Sequence, residues 1–374
     1  MVKTMARAGA AALLAATAAV AQPAGRGVAH PDLWPAAKSQ GLVDPSTEAF
    51  VTRLLAGMSL EEKVGQMIQA DVASIRPDEL RRYPLGSVLA GGDSPPPGKP
   101  DRSRGPAWSA MVRAFHAVAT EPRPGHTPVP LLFGVDAVHG NNNVVGATLF
   151  PHGVALGATH DPELIRRVGE ATAREVAAAG IDWAFGPTLA VPQDDRWGRT
   201  FESYSEDPAL VRAYAGAMIA GLQGPPGRGG VQRGWVAASA KHFVGDGGAD
   251  EGVDQGNTTV SERALIDIHS AGYPPAVNAG IMTVMASFSS WQGAKAHGNR
   301  SLLVDVLKQR MGFDGFVVGD WDGHSQLPGG AKTDAAVAFN AGLDMAMASE
   351  TWRGLFDNTV AQVRAGTIPP ARVD

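Results

Sequence analysis

The chain has 374 residues, 44% apolar and 18% charged, with no cysteine and a formal net charge of −5 at pH 7. That length suits one large barrel, a form that takes roughly 250 residues as a single unit, or two ordinary domains. The composition excludes a disordered chain and a membrane bundle. Without cysteine there is no disulfide and no lipid-modified cysteine, and an acidic chain with no Lys/Arg tract argues against nucleic acid as a partner.

Residues 1–21 open with Lys3 and Arg7, continue as an Ala/Leu-rich stretch, and close on Ala19-Val20-Ala21 before Gln22. This is the charged, apolar and small-x-small pattern of a secretory signal peptide. The run is shorter than the roughly 20 apolar residues of a membrane span. The expectation is export to the periplasm or the exterior, with no membrane anchor after cleavage. Residues 22–45 are rich in Pro, Gly and Ala without a period and are expected to form an extended lead-in. Packed structure is expected from about Pro45, with residues 46–374 forming one domain.

The first helical pattern covers 46–56, and Ser59-Leu60-Glu61-Glu62 is a capping box that starts a second. Short apolar, strand-like runs then recur at 66–70, 86–90, 130–135, 183–187, 235–240, 281–287, 315–319 and 343–348. Helical patterns fill most gaps, at 108–119, 162–179, 208–222, 262–279, 302–311 and 334–341, and a last one covers 352–364. Eight alternations of strand and helix predict an α/β fold, a (β/α)8 TIM-like barrel, with a doubly wound sheet as the alternative. The gap between the first two strands is too short for a full helix. Residues 91–106 and 223–234 are Gly/Pro-rich and read as surface excursions.

Chemistry collects at the strand ends. Asp136 follows the third strand. The loop after the fourth carries Asp195-Arg196-Trp197-Gly198-Arg199 and Glu202-Ser203-Tyr204-Ser205-Glu206-Asp207. The fifth strand ends in Lys241-His242, the sixth in Ser287-Phe288-Ser289-Ser290-Trp291 and the seventh in Asp320-Trp321. Alone, Asp320 has the plainer reading of a cap on the following turn. Five consecutive strand ends with polar, charged and aromatic residues place an active site on one face of a barrel.

Such residues suit a sugar, whose hydroxyls are read by carboxylates and by Lys, Arg and His donors, and whose C–H face stacks on an indole, here Trp321 or Trp291. A carboxylate without metal-ligand company fits a nucleophile for an anomeric carbon. The histidines lack HxH or HxxxH spacing, so no metal site is expected, and no cofactor is called for. Plainer readings stand beside these: Lys241 and His242 pairing with Glu206 or Asp207, Arg199 pairing with an acid in its own loop, His139 and His152 packing loops, and the tryptophans in the core. Lys241 at a strand end also fits the Schiff-base lysine of an aldolase.

The blocks Gly134-Val135-Asp136-Ala137-Val138-His139-Gly140-Asn141-Asn142, Arg196-Trp197-Gly198-Arg199 with Glu202-Ser203-Tyr204-Ser205-Glu206-Asp207, Lys241-His242-Phe243-Val244-Gly245-Asp246-Gly247-Gly248 and Gly315-Phe316-Val317-Val318-Gly319-Asp320-Trp321 resemble the signature motifs of glycoside hydrolase family 3, above all its β-glucosidase and β-glucan exohydrolase branch. They stand in family order, and the similarity runs from about Trp34 onward. The resemblance implies a catalytic barrel in which Asp320 is the nucleophile and Asp136, Arg199, Lys241 and His242 bind sugar hydroxyls. Trp321 becomes a wall of the next subsite, with Met285 and Phe288 near the pocket. The implied partner is a β-glucoside or β-glucan oligosaccharide.

Phe288 stands where close relatives often carry Tyr. The N-acetylglucosaminidase branch follows its Lys-His block with Asp-x-His, whereas 247–252 hold no His and the next is His269. That disfavours N-acetylglucosaminidase specificity; β-xylosidase specificity and a non-catalytic glucan-binding barrel are further rivals. In the glucosidase branch the acid/base is a Glu on a second α/β sandwich domain, which is expected in the full-length protein and absent from this chain. A retaining mechanism needs two carboxyls roughly 5 Å apart.

Overall fold

Eight short parallel strands form: β1 (Ile68–Asp71), β2 (Ser87–Ala90), β3 (Leu132–Val135), β4 (Trp183–Ala184), β5 (Ala237–Phe243), β6 (Thr283–Ala286), β7 (Phe316–Val318) and β8 (Ala346–Met347). Each overlaps one of the apolar runs, because a strand covered on both faces is largely apolar. The structure is a computed structural model describing residues 27–92, 94–100, 102–225 and 231–374; the leader pattern at 1–21 lies outside the described residues.

The strands pair in the order β7-β6-β5-β4-β3-β2-β1-β8. A parallel bridge from Val318 to Met345 then joins the two ends, with the Gly319 N–H donating to the Met345 carbonyl at 2.8 Å. The sheet is therefore a closed barrel, with no free edge.

Two apolar regions follow from closure. Leu89, Trp183, Phe185, Met285, Val318, Met345 and Met347 fill the inside of the barrel. A larger core lies between strands and helices, where Val88, Phe133, Ala184, Ala240 and Val317 meet residues such as Phe115, Val176 and Leu222. Two polar pairs stand inside: Gln69 Nε2 donates to Ser87 Oγ at 2.7 Å, and Trp183 Nε1 donates to Thr283 Oγ1 at 3.0 Å, while Gln69 Oε1 and Ser239 Oγ are buried without a partner.

The helices Pro45–Gly57, Leu60–Gln66, Gly105–Ala119, Pro162–Ala178, Pro208–Gln223 and Trp352–Arg364 match their sequence patterns. The Ser59/Glu62 capping box is formed in full. Helices Pro162–Ala178 and Pro208–Gln223 touch backbone to backbone: a Cβ on Gly221 would lie 2.3 Å from the Arg166 carbonyl oxygen.

Two expectations need correction, and a third holds. The helix predicted over 262–279 is broken into Glu262–Ala264, a π-turn Leu265–His269 and Tyr273–Asn278, because Gly272, Pro274 and Pro275 interrupt the i→i−4 ladder. Packing also begins before Pro45. From residue 27 the lead-in stays extended apart from a turn at Pro31–Leu33, yet it is docked. Trp34 is only 1% exposed, its Nε1 donates to Glu262 Oε1 at 2.8 Å, and its carbonyl accepts from Arg310 Nε at 2.7 Å. Between β1 and β2 runs only a 3₁₀ turn, Pro77–Arg81, as the short gap implied.

Trp34→Ala removes a buried indole from this strap and is expected to destabilise the fold by about 3–5 kcal/mol. Urea unfolding checks it; an unchanged midpoint would mean that the strap carries no stability.

Candidate active site

A strand points alternate side chains to one face, so inward residues predict the next inward residue two positions on. Gly134 faces inward, since a Cβ there would strike the Phe185 ring at 2.3 Å, and Asp136 follows it. Ala237 lines the interior, followed by Ser239 and Lys241; Val318 lines it, followed by Asp320. The same step takes Gln69 to Asp71. The pleat thus delivers three carboxylates and a lysine to one end of the barrel.

Register against β6 shifts between Ala240 and Phe243, and the Lys241–His242 and Phe243–Val244 peptides are cis. Both Lys241 and His242 engage the site from this bulge, where plain alternation would send one away. Lys241 Nζ donates to Asp136 Oδ1 at 2.6 Å. His242 Nδ1 donates to Asp246 Oδ2 at 2.9 Å, while its Nε2 accepts from Arg199 Nη2 at 3.3 Å and lies 3.6 Å from Asp320 Oδ2. The pairing with Glu206 or Asp207 does not occur.

Arg199 does find an acid in its own loop. Its Nε and Nη2 donate to the two carboxylate oxygens of Glu202 at 2.7 and 2.9 Å. Burial works against the Arg199 charge, but the Glu202 hydrogen bonds and the charges of Glu202, Asp246 and Asp320 hold its pKa above the usual value. Burial likewise works against the Glu202 carboxylate, yet Arg199, Lys241 and His242 keep its pKa below the usual range. Both stay ionised.

Asp320 is held differently. Its Oδ1 accepts from the Trp321 N–H at 2.7 Å, and its own N–H donates to His297 Nε2 at 2.9 Å. Trp321 is 41% exposed at the mouth, its ring 3.0 Å from where a Gly91 Cβ would be. Met285 sits in the barrel interior beneath. The Phe288 ring packs 5.7 Å from His297, and its carbonyl accepts from Lys295 Nζ at 2.7 Å. Trp291, by contrast, is buried and donates to the Val260 carbonyl at 3.0 Å, so it presents no stacking face.

A cavity of about 260 Å³ opens beside the Lys241–Asp136 and Arg199–Glu202 pairs, lined by Asp136, Val138, His139, His152, Arg199 and Lys241 among others, whereas Asp320, His242, Met285, Phe288 and Trp321 do not line it. His139 and His152 do pack together, rings 4.4 Å apart, but on the cavity wall. The sequence did not single out Asp71 or His297. Asp71 had a visible signal, a carboxylate at a strand end: its Oδ2 accepts from Gly91 N at 2.8 Å and its Oδ1 from Ser94 Oγ at 2.8 Å, so the start of the 91–106 excursion belongs to the mouth. His297 arrives from a distant loop and carries no local signature.

The carboxyls around Asp320 are committed acceptors: Asp136 to Lys241, Glu202 to Arg199, Asp246 to His242, and Asp71 to amide and hydroxyl donors. Asp250 accepts from Thr259 at 2.8 Å, and Glu251 is exposed at positive φ. Among the described residues no group of three or more His, Cys, Asp or Glu is placed to hold a metal ion. The arrangement can orient a neutral, hydroxyl-rich ring and present one carboxylate to it.

Residues 59–374 match the model described as the glycosyl hydrolase family 3 N terminal domain. The crystal structure of exo-1,3/1,4-beta-glucanase from a Pseudoalteromonas species superposes with a TM-score of 0.88 at 48% identity, covering 91% of this chain and 42% of that one. Lysosomal beta glucosidase of Dictyostelium discoideum is 29% identical over 353 residues, 87% of this chain and 42% of its own. Beta-glucosidase of Rhizobium radiobacter is 37% identical over 251 residues, 66% of this chain and 28% of its own. The chain spans less than half the length of these relatives.

Burial pushes three imidazoles down: His297, to about 3, His269 and His324. The unfolded chain binds protons at these groups near pH 6.5 while the folded chain refuses them. Stability present at neutral pH is therefore lost as pH falls below 6.5, by up to about 1.4 kcal/mol per pH unit for each group. Lowered Glu62 and Glu202 add to the loss below their ordinary value of 4.5. Urea unfolding between pH 7 and 4.5 is expected to show uptake of more than one proton; a flat profile would contradict the buried neutral imidazoles.

Proposed function

The chain belongs to glycosyl hydrolase family 3, and from that premise we propose that it hydrolyses terminal, non-reducing β-D-glucosyl residues of β-glucosides and β-glucan oligosaccharides with retention. The Asp320 carboxylate attacks the anomeric carbon as the bond to the leaving oxygen breaks, giving a glycosyl-Asp320 ester. Water then attacks the same carbon, releases glucose and restores the carboxylate. Asp136, Lys241, Arg199 and His242 bind the sugar hydroxyls, and Trp321 walls the adjoining subsite. Met285 and Phe288 stand near the pocket.

The observation that carries this reading is the difference between Asp320 and its neighbours. Asp136 and Glu202 are each bound by a cationic side chain at 2.6–2.7 Å, whereas the nearest basic side-chain nitrogen to the Asp320 carboxylate is His242 Nε2, at 3.6 Å and beyond hydrogen-bond distance. A carboxylate locked to a cation is a poor nucleophile; one oriented through a single oxygen keeps lone pairs for attack.

The leaving oxygen also needs a proton, and the other carboxyls of the mouth are engaged as acceptors. We therefore assign the acid/base to a Glu outside this barrel, on the second, sandwich domain of the full-length protein. The leader pattern at 1–21 supports an exported protein working in the periplasm or outside the cell.

A barrel without its acid should depend steeply on the leaving group. 2,4-Dinitrophenyl β-glucoside should turn over, while cellobiose lacks the roughly 10²–10⁴-fold help of a general acid. Equal rates on both would place an acid within the barrel. Asp320→Ala should abolish turnover of the aryl glucoside, and added azide should restore it with α-glucosyl azide as product; no rescue would remove Asp320 from the nucleophile's role.

A further inference from the structure

His297 lies in the turn Ala296–Gly298, just after a small hairpin of Ser290–Trp291 and Ala294–Lys295. Its imidazole is buried, and both nitrogens are used. Nδ1 donates to the Ser287 carbonyl at 2.9 Å, at the end of β6. That leaves Nε2 without a proton, and the Asp320 N–H donates to it at 2.9 Å, at the end of β7. The ring bridges two adjacent strand ends and fixes its own tautomer in doing so.

The surroundings leave room for this ring. A Cβ on Gly323 would lie 2.3 Å from Nε2, and one on Gly319 3.4 Å from it, so glycines flank Asp320 where the imidazole enters. Phe288 covers another side. Asp320 is then fixed twice: its backbone by His297, and its carboxylate by the Trp321 N–H at 2.7 Å.

We propose that His297 is a positioning residue which, as a neutral acceptor, pins the backbone of Asp320 and thereby holds its carboxylate in line with the anomeric carbon of a bound β-glucoside. The inference rests on the reading of Asp320 as nucleophile. His297 touches no substrate; it acts through the one residue that does. A misplacement of about 1 Å at an attacking atom costs on the order of 100-fold in rate. Binding, which depends on Asp136, Lys241, Arg199 and His242, should change little.

The test compares the unaltered chain with His297→Leu, which removes the acceptor, and His297→Gln, which can offer its amide oxygen instead. Three quantities are read: the limiting rate of covalent inactivation by 2,4-dinitrophenyl 2-deoxy-2-fluoro-β-glucoside, the affinity for gluconolactone by calorimetry, and hydrogen exchange at the Asp320 amide. The Leu variant should inactivate roughly 10- to 100-fold more slowly, at nearly unchanged lactone affinity, with a faster-exchanging Asp320 amide. The Gln variant should recover most of the rate and the protection. Full rate and full protection in the Leu variant would overturn the proposal, as would equal losses in Leu and Gln, which would mark His297 as packing only. If the unaltered chain forms no adduct, the nucleophile reading itself fails, while loss of amide protection in the Leu variant still upholds the bond.

Discussion

A charge taken out of water must find a partner, and the mouth of this barrel follows from that requirement. Lys241 is buried at the end of β5 and meets Asp136 across the opening. Arg199 is half-buried and meets Glu202 in a two-pronged pair, and the edge of that guanidinium orients His242. His242 in turn leans on Asp246. Each link fixes the next group at a set distance, so the site is organised before any ligand arrives. Pre-organised donors and acceptors of this kind act on a substrate without reorganising during the reaction.

Closure of the barrel makes the pairing possible. The Val318–Met345 bridge brings β7 beside β8, and the register of β5 against β6 places two consecutive residues at the mouth. Large side chains fill the interior below, so the polar groups cannot sink inward. His297 ties β6 to β7 at their ends, which places Asp320 relative to Ser287 as well as to its own strand. The extended lead-in adds a strap on the outside, where Trp34 locks onto Glu262 and Arg310.

Much of this was legible in the sequence. A strand covered on both sides is largely apolar, which is why eight short runs found eight strands, and polar residues crowding their C-terminal ends found the mouth. What stayed hidden depends on contacts between distant segments. Trp34 sits in a stretch without period, and only its partners Glu262 and Arg310 reveal that it is packed. Trp291 looked as available as Trp321, yet the small hairpin buries it. His297 carries no motif, and its role appears only where two strand ends converge. Asp71 was visible in principle, as an acid ending the first run, but a single acid after a short strand is indistinguishable from a turn cap.

On the proposed reading Asp320 is the carboxylate left free to attack, while Asp136 and Glu202 are held by Lys241 and Arg199. Mass spectrometry of the folded chain after incubation with 2,4-dinitrophenyl 2-deoxy-2-fluoro-β-glucoside, followed by peptide mapping, tests it most directly. One fluoroglucosyl group is expected on the peptide that contains Asp320. A label on Asp136 or Glu202, or none on a chain shown to be folded, would contradict it.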